Sequence, residues 1–184
     1  MADIPATRRP PAIAASPLLR LLPPAARHIL RGAPTIMGAA GEALGLSLSM
    51  PACRASLGGV RSALWLGPDE RLLLGEASSA AETASRLGQV LQQQPHSLVD
   101  VSHRQVAFAI AGPQAATVLA AGCPLDLDPG AFPPGMCTRT VLAKAEIVLW
   151  RRDDDSFHLE VWRSFAAYVS GVIAAAAREL TEPG

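Results

Sequence analysis

ALWLGPDERLLLGE, residues 63–76, is the stretch that decides the fold of this sequence. Two apolar runs flank Gly67-Pro68-Asp69-Glu70, and proline in the second position of the four favours a type I turn. The stretch therefore predicts an antiparallel hairpin. Ser79 and Glu82 follow at the spacing of a capping box, which predicts a helix that ends before Pro95.

The same order of segments recurs near the carboxyl end of the chain. Ile147–Trp150 leads into a charged tip at Arg151–Asp155, and Phe157–Trp162 alternates as a returning strand. Ser164 is the predicted N-cap of a final amphipathic helix. This order of segments predicts a second strand–turn–strand–helix unit.

A further pair of matching segments precedes the two hairpins. One apolar run ends at Gly-Ala-Pro, residues 32–34, and another ends at Gly-Pro, residues 112–113. An alanine-rich segment that predicts a helix follows each of them. Equivalent positions lie roughly 80 to 85 residues apart, which favours duplication over a chance likeness. The predicted fold class is α+β, with two β-α-β-β-α units whose antiparallel sheets are covered by helices. The predicted boundaries are a mobile N-terminal arm at 1–17, a first unit at 18–95 and a second unit at 96–184.

The composition describes a globular chain without net charge. Its 184 residues are 49% hydrophobic and 17% charged, with sixteen basic residues against sixteen acidic ones. The apolar content excludes disorder of the whole chain, and the balanced charge predicts no binding to nucleic acid or to a membrane surface. Three cysteines without C-x-x-C spacing argue against a disulfide framework and a zinc site. With no apolar run of membrane-span length and no secretory signal, we expect a cytoplasmic protein.

Residue types that carry chemistry are present but scattered. Asp100, Ser102 and His103 suggest a catalytic triad, yet on an extended segment His103 points away from the other two. The four histidines lack the spacing of metal ligands. The sequence therefore predicts no catalytic, cofactor-binding or metal-binding residue in this chain.

Three glycines of the first alanine-rich helix are spaced by three and four residues. Gly38, Gly41 and Gly45 do not have the pattern of a phosphate-binding loop. Their spacing instead predicts one helix face that permits close packing.

Three arginines stand out as charged groups embedded in otherwise apolar segments. Arg104, Arg139 and Arg163 carry the planar five-donor group that suits buried or interfacial carboxylates. Two interpretations of these arginines stay open, namely internal salt bridges and contacts with a partner protein. Together with His103 and Trp162, they are the candidate residues of a partner interface.

Five segments resemble the gamma subunit family of heterotetrameric sarcosine oxidase, over about residues 18–180. They occur in the family's order and are WLGPDERLLLG at 65–75, VDVSHRQVAFAIAGPQA at 99–115, AAGCPLDL at 120–127, PPGMCTRTVLAKAEIVLW at 133–150 and EVWRSFAAYVSG at 160–171.

The second half is also similar to the first domain of the aminomethyltransferase (T-protein) and tRNA-modification GTPase superfamily. That superfamily carries Asp-x-Ser-His, a Gly-Pro helix start and a Pro-Pro-Gly loop, which match 100–103, 112–113 and 133–135 here. In the folate-using members of that superfamily, a Gly-rich turn and an acidic strand follow the Pro-Pro-Gly loop. In this chain the segment Leu142–Ile147 is shorter, and Glu146 is the one acid in it.

The sarcosine oxidase resemblance implies an accessory, non-catalytic subunit of an enzyme complex. The complex would oxidatively demethylate sarcosine to glycine, with hydrogen peroxide and a one-carbon unit, free or on tetrahydrofolate, as co-products. FAD, FMN, NAD, zinc and tetrahydrofolate would belong to the other subunits, and the alpha, beta and delta subunits would be the partners. The T-protein resemblance implies an alternative, a stand-alone folate-binding or aminomethyl-transferring protein. A small adaptor of the tRNA-modification type is the third hypothesis.

Overall fold

The computed structural model describes residues 13–180, which form two five-stranded antiparallel sheets and four α-helices. The elements up to residue 100 are β1 Leu19–Leu21, β2 Ala25–Gly32, α1 Pro34–Leu44, β3 Ala55–Gly58, β4 Arg61–Gly67, β5 Glu70–Glu76, α2 Ala80–Leu91 and β6 His96–Asp100. Those that follow are β7 Gln105–Ala111, α3 Ala115–Ala120, β8 Cys137–Leu142, β9 Ala145–Asp153, β10 Ser156–Trp162 and α4 Ala166–Glu179.

The two sheets have the same internal order, which confirms the predicted α+β class. The first sheet is ordered β3-β4-β5-β2-β6 and the second β8-β9-β10-β7-β1. Each half therefore contributes strand, helix, three strands and helix, one strand more than predicted. The added strands, β3 of four residues and β8 of six, lie at sheet edges.

One edge strand of each sheet comes from the other half of the chain, across the predicted boundary at residue 95. β1 pairs with β7 through Leu19 and Ile110, whereas β6 pairs with β2 through Val99 and Ile29. The two halves are thus interlocked by an exchange of strands, and the boundaries at 18–95 and 96–184 stay a prediction. Most of the predicted arm, residues 1–12, lies outside the described residues.

The described residues form four layers, in the order helices, sheet, sheet, helices. One apolar cluster fills the space between each pair of neighbouring layers. One cluster joins α1 and α2 to the outer face of the first sheet, and another joins α3 and α4 to the outer face of the second sheet. The third fills the space between the sheets, with Leu64, Leu72, Val148 and Trp150 among its members. The period-two alternation of each strand supplies residues to both of its faces.

Both predicted hairpins are confirmed, with tips at Pro68–Asp69 and Asp154–Asp155. The capping details differ from the prediction. Ser79 is the N-cap residue of α2, but its hydroxyl donates to the Glu76 carbonyl at 2.8 Å instead of capping the helix. Ser164 lies inside a 3₁₀ turn, so Phe165 takes the N-cap position of α4.

The glycines of α1 do not form one packing face, so that expectation was wrong. A Cβ added at Gly41 would lie 2.6 Å from the Leu46 carbonyl oxygen, because the chain turns back closely over this residue. Gly38 is exposed, with open space around it. Gly45 ends the helix with φ +67°, a conformation that glycine adopts without strain. Of the three glycines, Gly41 is the one that permits a close approach, between α1 and the backbone at Leu46.

Candidate subunit interface and inter-sheet cleft

Four of the five predicted interface residues meet where β7 begins and β10 ends. Trp162 pairs with Gln105 in the sheet, and the Arg104 guanidinium lies 4.7 Å from the centroid of the Trp162 ring. The Arg163 backbone N–H donates to the Arg104 carbonyl at 2.8 Å, and Arg163 Nε donates to the His103 carbonyl at 3.1 Å. Backbone pairing therefore holds this group together at the surface.

The fifth residue, Arg139, reaches the same region from β8. Its Nη2 atom donates to Glu70 Oε1 on β5 of the first sheet, at 2.8 Å. Arg139, Arg104 and Trp162 all line a cleft of about 230 Å³ that opens between the two sheets. His103 and Arg163 are not among its lining residues. His103 precedes Arg104 in the chain, and the Arg163 backbone N–H donates to the Arg104 carbonyl.

An exposed apolar patch continues from the cleft over the start of α4. We define the aromatic patch as Trp162, Phe165 and Tyr168, each about 40% exposed. The Phe165 and Tyr168 rings meet edge to face at 6.4 Å. The Lys144 backbone N–H donates to the Tyr168 hydroxyl at 3.4 Å, which ties the β8–β9 turn to the helix. Large apolar side chains clustered in this way on a surface are typical of protein contacts.

A buried ion pair lies deeper between the sheets. Arg27 Nε of the first sheet is 2.6 Å from Glu160 Oε2 of the second, and His158 Nε2 is 2.8 Å from Glu160 Oε1. Burial alone would raise the pKa of the Glu160 carboxyl. The hydrogen bonds and charges of His158 and Arg27 outweigh burial and lower this pKa below its ordinary value, so the carboxylate stays ionised.

The charged groups that the fold embeds are not the three that the sequence suggested. Arg104 and Arg139 are exposed and Arg163 is half-buried, whereas other arginines are almost wholly inaccessible. Two of the buried arginines hold loops: Arg71 Nε donates to the Leu48 carbonyl, and Arg151 Nη1 donates to the Leu127 and Phe132 carbonyls, each at 2.9 Å. Sequence reasoning missed these residues and Arg27. The one available signal was the period-two alternation of their strands, which places them on inward faces. The buried set is Arg27, Arg71 and Arg151.

Groups that could carry chemistry are engaged in structural contacts. The Ser102 hydroxyl accepts the Arg27 backbone N–H at 2.8 Å, and Asp100 Oδ1 accepts the Ser102 N–H at 2.8 Å. Burial would raise the pKa of Asp100, but the hydrogen bonds from Ser102 prevail and lower it. Burial raises the pKa of the Cys137 thiol to about 12, so it stays protonated.

Residues 13–180 contain neither a metal-binding group of side chains nor a membrane-spanning helix. No group of three or more His, Cys, Asp or Glu residues in this range is placed to hold a metal ion. Within the same range no helix has the length and apolarity needed to cross a membrane.

Comparison with known proteins assigns the family. Residues 31–179 match the family model described as "Sarcosine oxidase, gamma subunit family". The chain belongs to this family. The match begins on β2 and ends at the last residue of α4, so it contains the five candidate interface residues and every lining residue of the cleft except Ile29.

Individual relatives agree with the gamma subunit assignment. The sarcosine oxidase subunit gamma of Corynebacterium sp. (strain P-1) is 36% identical over 121 residues, which are 65% of this chain and 59% of that protein. This chain thus spans about three-fifths of the length of that relative. A chain of the heterotetrameric sarcosine oxidase from Corynebacterium sp. U-96 matches with TM-score 0.84 and 29% identity, covering 94% of this chain and 90% of that one.

The predicted likeness to T-protein is confirmed at the level of the fold. The glycine cleavage system aminomethyltransferase T from Bartonella henselae matches with TM-score 0.64 and 17% identity, covering 87% of this chain and 48% of that one. The shared architecture extends over both halves of the gamma-family chain and not the second half alone.

Proposed function

We propose that this chain is the accessory gamma subunit of a heterotetrameric sarcosine oxidase. The complex oxidatively demethylates sarcosine to glycine and releases hydrogen peroxide and a one-carbon unit, free or on tetrahydrofolate. The observation that carries the proposal is the match of residues 31–179 to the gamma subunit family. The 0.84 TM-score to a chain of a complex described as heterotetrameric supports it.

The chemistry of the complex is proposed to reside in the alpha, beta and delta subunits. FAD, FMN, NAD, zinc and tetrahydrofolate are assigned to them, and this chain is assigned no catalytic role. The engagement of Glu160 by Arg27 and His158, and of Ser102 by the Arg27 backbone, supports this division, because neither group is free to act on a substrate. The complex is proposed to work in the cytoplasm, without nucleic acid or membrane as a partner.

The proposed contact surface is the group His103, Arg104, Arg139, Trp162 and Arg163, extended by the aromatic patch. Arginine binds carboxylates through two parallel hydrogen bonds, and tryptophan is enriched at the centres of protein interfaces. The Arg104 guanidinium stacks on Trp162 and has no carboxylate within ion-pair distance among residues 13–180. A partner surface that presents carboxylates around an apolar centre would match this arrangement.

A pull-down with matched variants tests this interface. The tagged chain is co-expressed with the alpha, beta and delta subunits, and the recovered partners are weighed. Arg104→Glu and Trp162→Ala should each reduce the recovered partners at least tenfold, because they reverse a contact charge or remove the apolar anchor. Arg86→Glu changes an exposed arginine on α2 in the same way, and should leave recovery unchanged. Equal recovery with all three variants would contradict the proposed surface.

The folate-binding alternative rests on the structural likeness to aminomethyltransferase T. Calorimetric titration of the isolated chain with tetrahydrofolate separates the two functions. Saturable binding in the micromolar range would favour the alternative, and an absence of heat would favour the accessory role. The β8–β9 turn of two residues, Ala143 and Lys144, supports the accessory role, because it replaces the Gly-rich turn of the folate-using members.

A further inference from the structure

A second cleft, which we call the edge cleft, opens on the second sheet beside β1. Its volume is about 350 Å³. Its polar lining residues are Arg20, Arg152, Asp153, Ser156 and His158. They come from β1, β9 and the start of β10, whereas four of the five candidate interface residues lie at the other end of β7 and β10. The edge cleft is therefore separate from the proposed contact surface.

His158 presents one ring nitrogen to the edge cleft. Its side chain is 12% exposed, and its Nε2 atom lies 2.8 Å from Glu160 Oε1. Because the Glu160 carboxylate is ionised and also paired with Arg27, it accepts a hydrogen bond, and Nε2 carries the proton. In the neutral imidazole this leaves Nδ1 with a lone pair. Nδ1 has no hydrogen-bond partner among residues 13–180 and is not sealed from solvent.

Two arginines approach His158 from opposite sides. The Arg152 guanidinium lies 4.2 Å from the centroid of the Trp150 ring, and the centroid of the same ring is 5.7 Å from that of the His158 imidazole. One indole thus holds a guanidinium and an imidazole side by side. On the other flank Arg20 pairs with Ala109, which pairs in turn with His158. The small alanine leaves space over the sheet between the two longer side chains.

The edge cleft has an excess of positive charge. Neither Arg20 nor Arg152 has a carboxylate within ion-pair distance in the described part of the chain. Asp153 is the one acid among the lining residues. Guanidinium groups suit an oxyanion, since each offers it paired N–H donors. The lone pair of His158 Nδ1 adds a second requirement, because it calls for an oxyanion that itself carries an O–H.

We propose that the edge cleft binds the hydrogen phosphate ion. Arg20 and Arg152 donate to its charged oxygens, and its O–H donates to His158 Nδ1. Water fills the rest of the volume and bridges the ion to the Ser156 hydroxyl. Sulfate has the same shape and charge but no proton, and methyl phosphate carries a methyl group in the place of the proton. The site should therefore discriminate against both of these ions.

Titration calorimetry of the full chain tests the site and is independent of the proposed function. The buffer is mildly alkaline, so that phosphate keeps one proton, and it contains no other oxyanion. We expect a dissociation constant of about 1 mM or less for inorganic phosphate, and binding at least tenfold weaker for sulfate and for methyl phosphate. An absence of phosphate binding up to about 10 mM would overturn the proposal. Sulfate or methyl phosphate that binds as tightly as phosphate would also overturn it.

Matched variants locate the bound ion. Arg20→Gln and Arg152→Gln change exposed residues and should each weaken phosphate binding tenfold or more, whereas Arg86→Gln on α2 should not. Asp153→Asn should tighten binding about threefold, because it removes a like charge from the lining. Normal binding by both Arg20→Gln and Arg152→Gln would overturn the proposal.

Nitrogen NMR of the parent chain reads the histidine contact without a substitution in the buried pair. Phosphate should move the Nδ1 signal of His158, and sulfate at the same concentration should not. A His158 signal that saturating phosphate leaves in place would overturn the assigned contact.

Discussion

Arg27 Nε lies 2.6 Å from Glu160 Oε2, and this contact joins the first sheet to the second inside the molecule. The two side chains are 2% and 0% exposed. Arg27 Nη1 also donates to the Ala25 carbonyl at 3.1 Å, and Glu160 accepts a second bond from His158. A buried charge is tolerated only when it is paired and hydrogen-bonded, and both oxygens of this carboxylate have donors.

We expect removal of either partner of this pair to destabilise the chain strongly. Glu160→Gln leaves the Arg27 charge uncompensated, which should lower the free energy of unfolding by about 3–5 kcal/mol. The double variant Arg27→Met/Glu160→Leu should recover much of this loss, because well-packed apolar groups can replace a buried pair. Urea unfolding of the isolated parent chain and of both variants is the measurement. A double variant less stable than Glu160→Gln alone would contradict the account.

Stability should depend on pH through His28. This residue is 1% exposed, and burial lowers the pKa of its imidazole below 6.5, although Asp100 partly opposes the shift. Between the lowered pKa and 6.5 the unfolded chain binds more protons than the folded one, so stability falls as the pH drops through this window. Well above pH 6.5 His28 is neutral in both the folded and the unfolded chain, so it no longer makes stability depend on pH.

His28→Leu should remove this dependence between pH 6.5 and the lowered pKa, measured by urea midpoints at several pH values. The lowered pKa values of Asp100 and Glu160 act in a separate window, as the pH falls below their ordinary values of 3.8 and 4.5. A His28→Leu profile parallel to that of the parent chain throughout would show that the histidine does not carry the effect.

Two glycines of α1 should respond to alanine in opposite directions. Gly38→Ala places a methyl group in open space on a helix and should stabilise the chain by about 0.5–1 kcal/mol. Gly41→Ala drives a methyl group against the Leu46 carbonyl and should destabilise by about 1–3 kcal/mol. Thermal unfolding of the pair is the measurement, with each variant as the control for the other. Equal shifts would refute the close approach at Gly41.

Arg163→Ala should weaken assembly while leaving the isolated chain nearly unchanged. The side chain makes one exposed hydrogen bond, to the His103 carbonyl, so its loss should lower the free energy of unfolding by less than about 1 kcal/mol. Recovery of partner subunits should fall if the guanidinium contacts them. A large drop in melting temperature with normal recovery would instead assign Arg163 a role inside the fold.

Local sequence signals predicted the parts of the fold that are local. Both hairpins and the long helices follow from turn residues and from periodicity, and these were predicted correctly. The three-residue strand β1 pairs with β7 some ninety residues away, and no local pattern specifies such a partner. β3 and β8 were missed because each is partly exposed at a sheet edge, so neither is a continuous apolar run.

The candidate site was predicted only in part. His103, Arg104, Trp162 and Arg163 come from two segments that one strand pairing brings together. The sequence selected the arginines as charges embedded in apolar segments, but the fold leaves Arg104 and Arg139 exposed. Their place in a partner interface stays a prediction. The inter-sheet cleft became visible only with the fold, because its lining comes from strands of both sheets. The burial of Arg27 likewise depends on the sheet that covers it.

Native mass spectrometry of the tagged chain, purified after co-expression with the alpha, beta and delta subunits, tests the central claim most directly. We expect a four-component assembly that contains this 19.2 kDa chain and oxidises sarcosine. The chain purified alone should have no such turnover. A chain that stays alone in the co-expression, or that oxidises sarcosine without companions, would contradict the account.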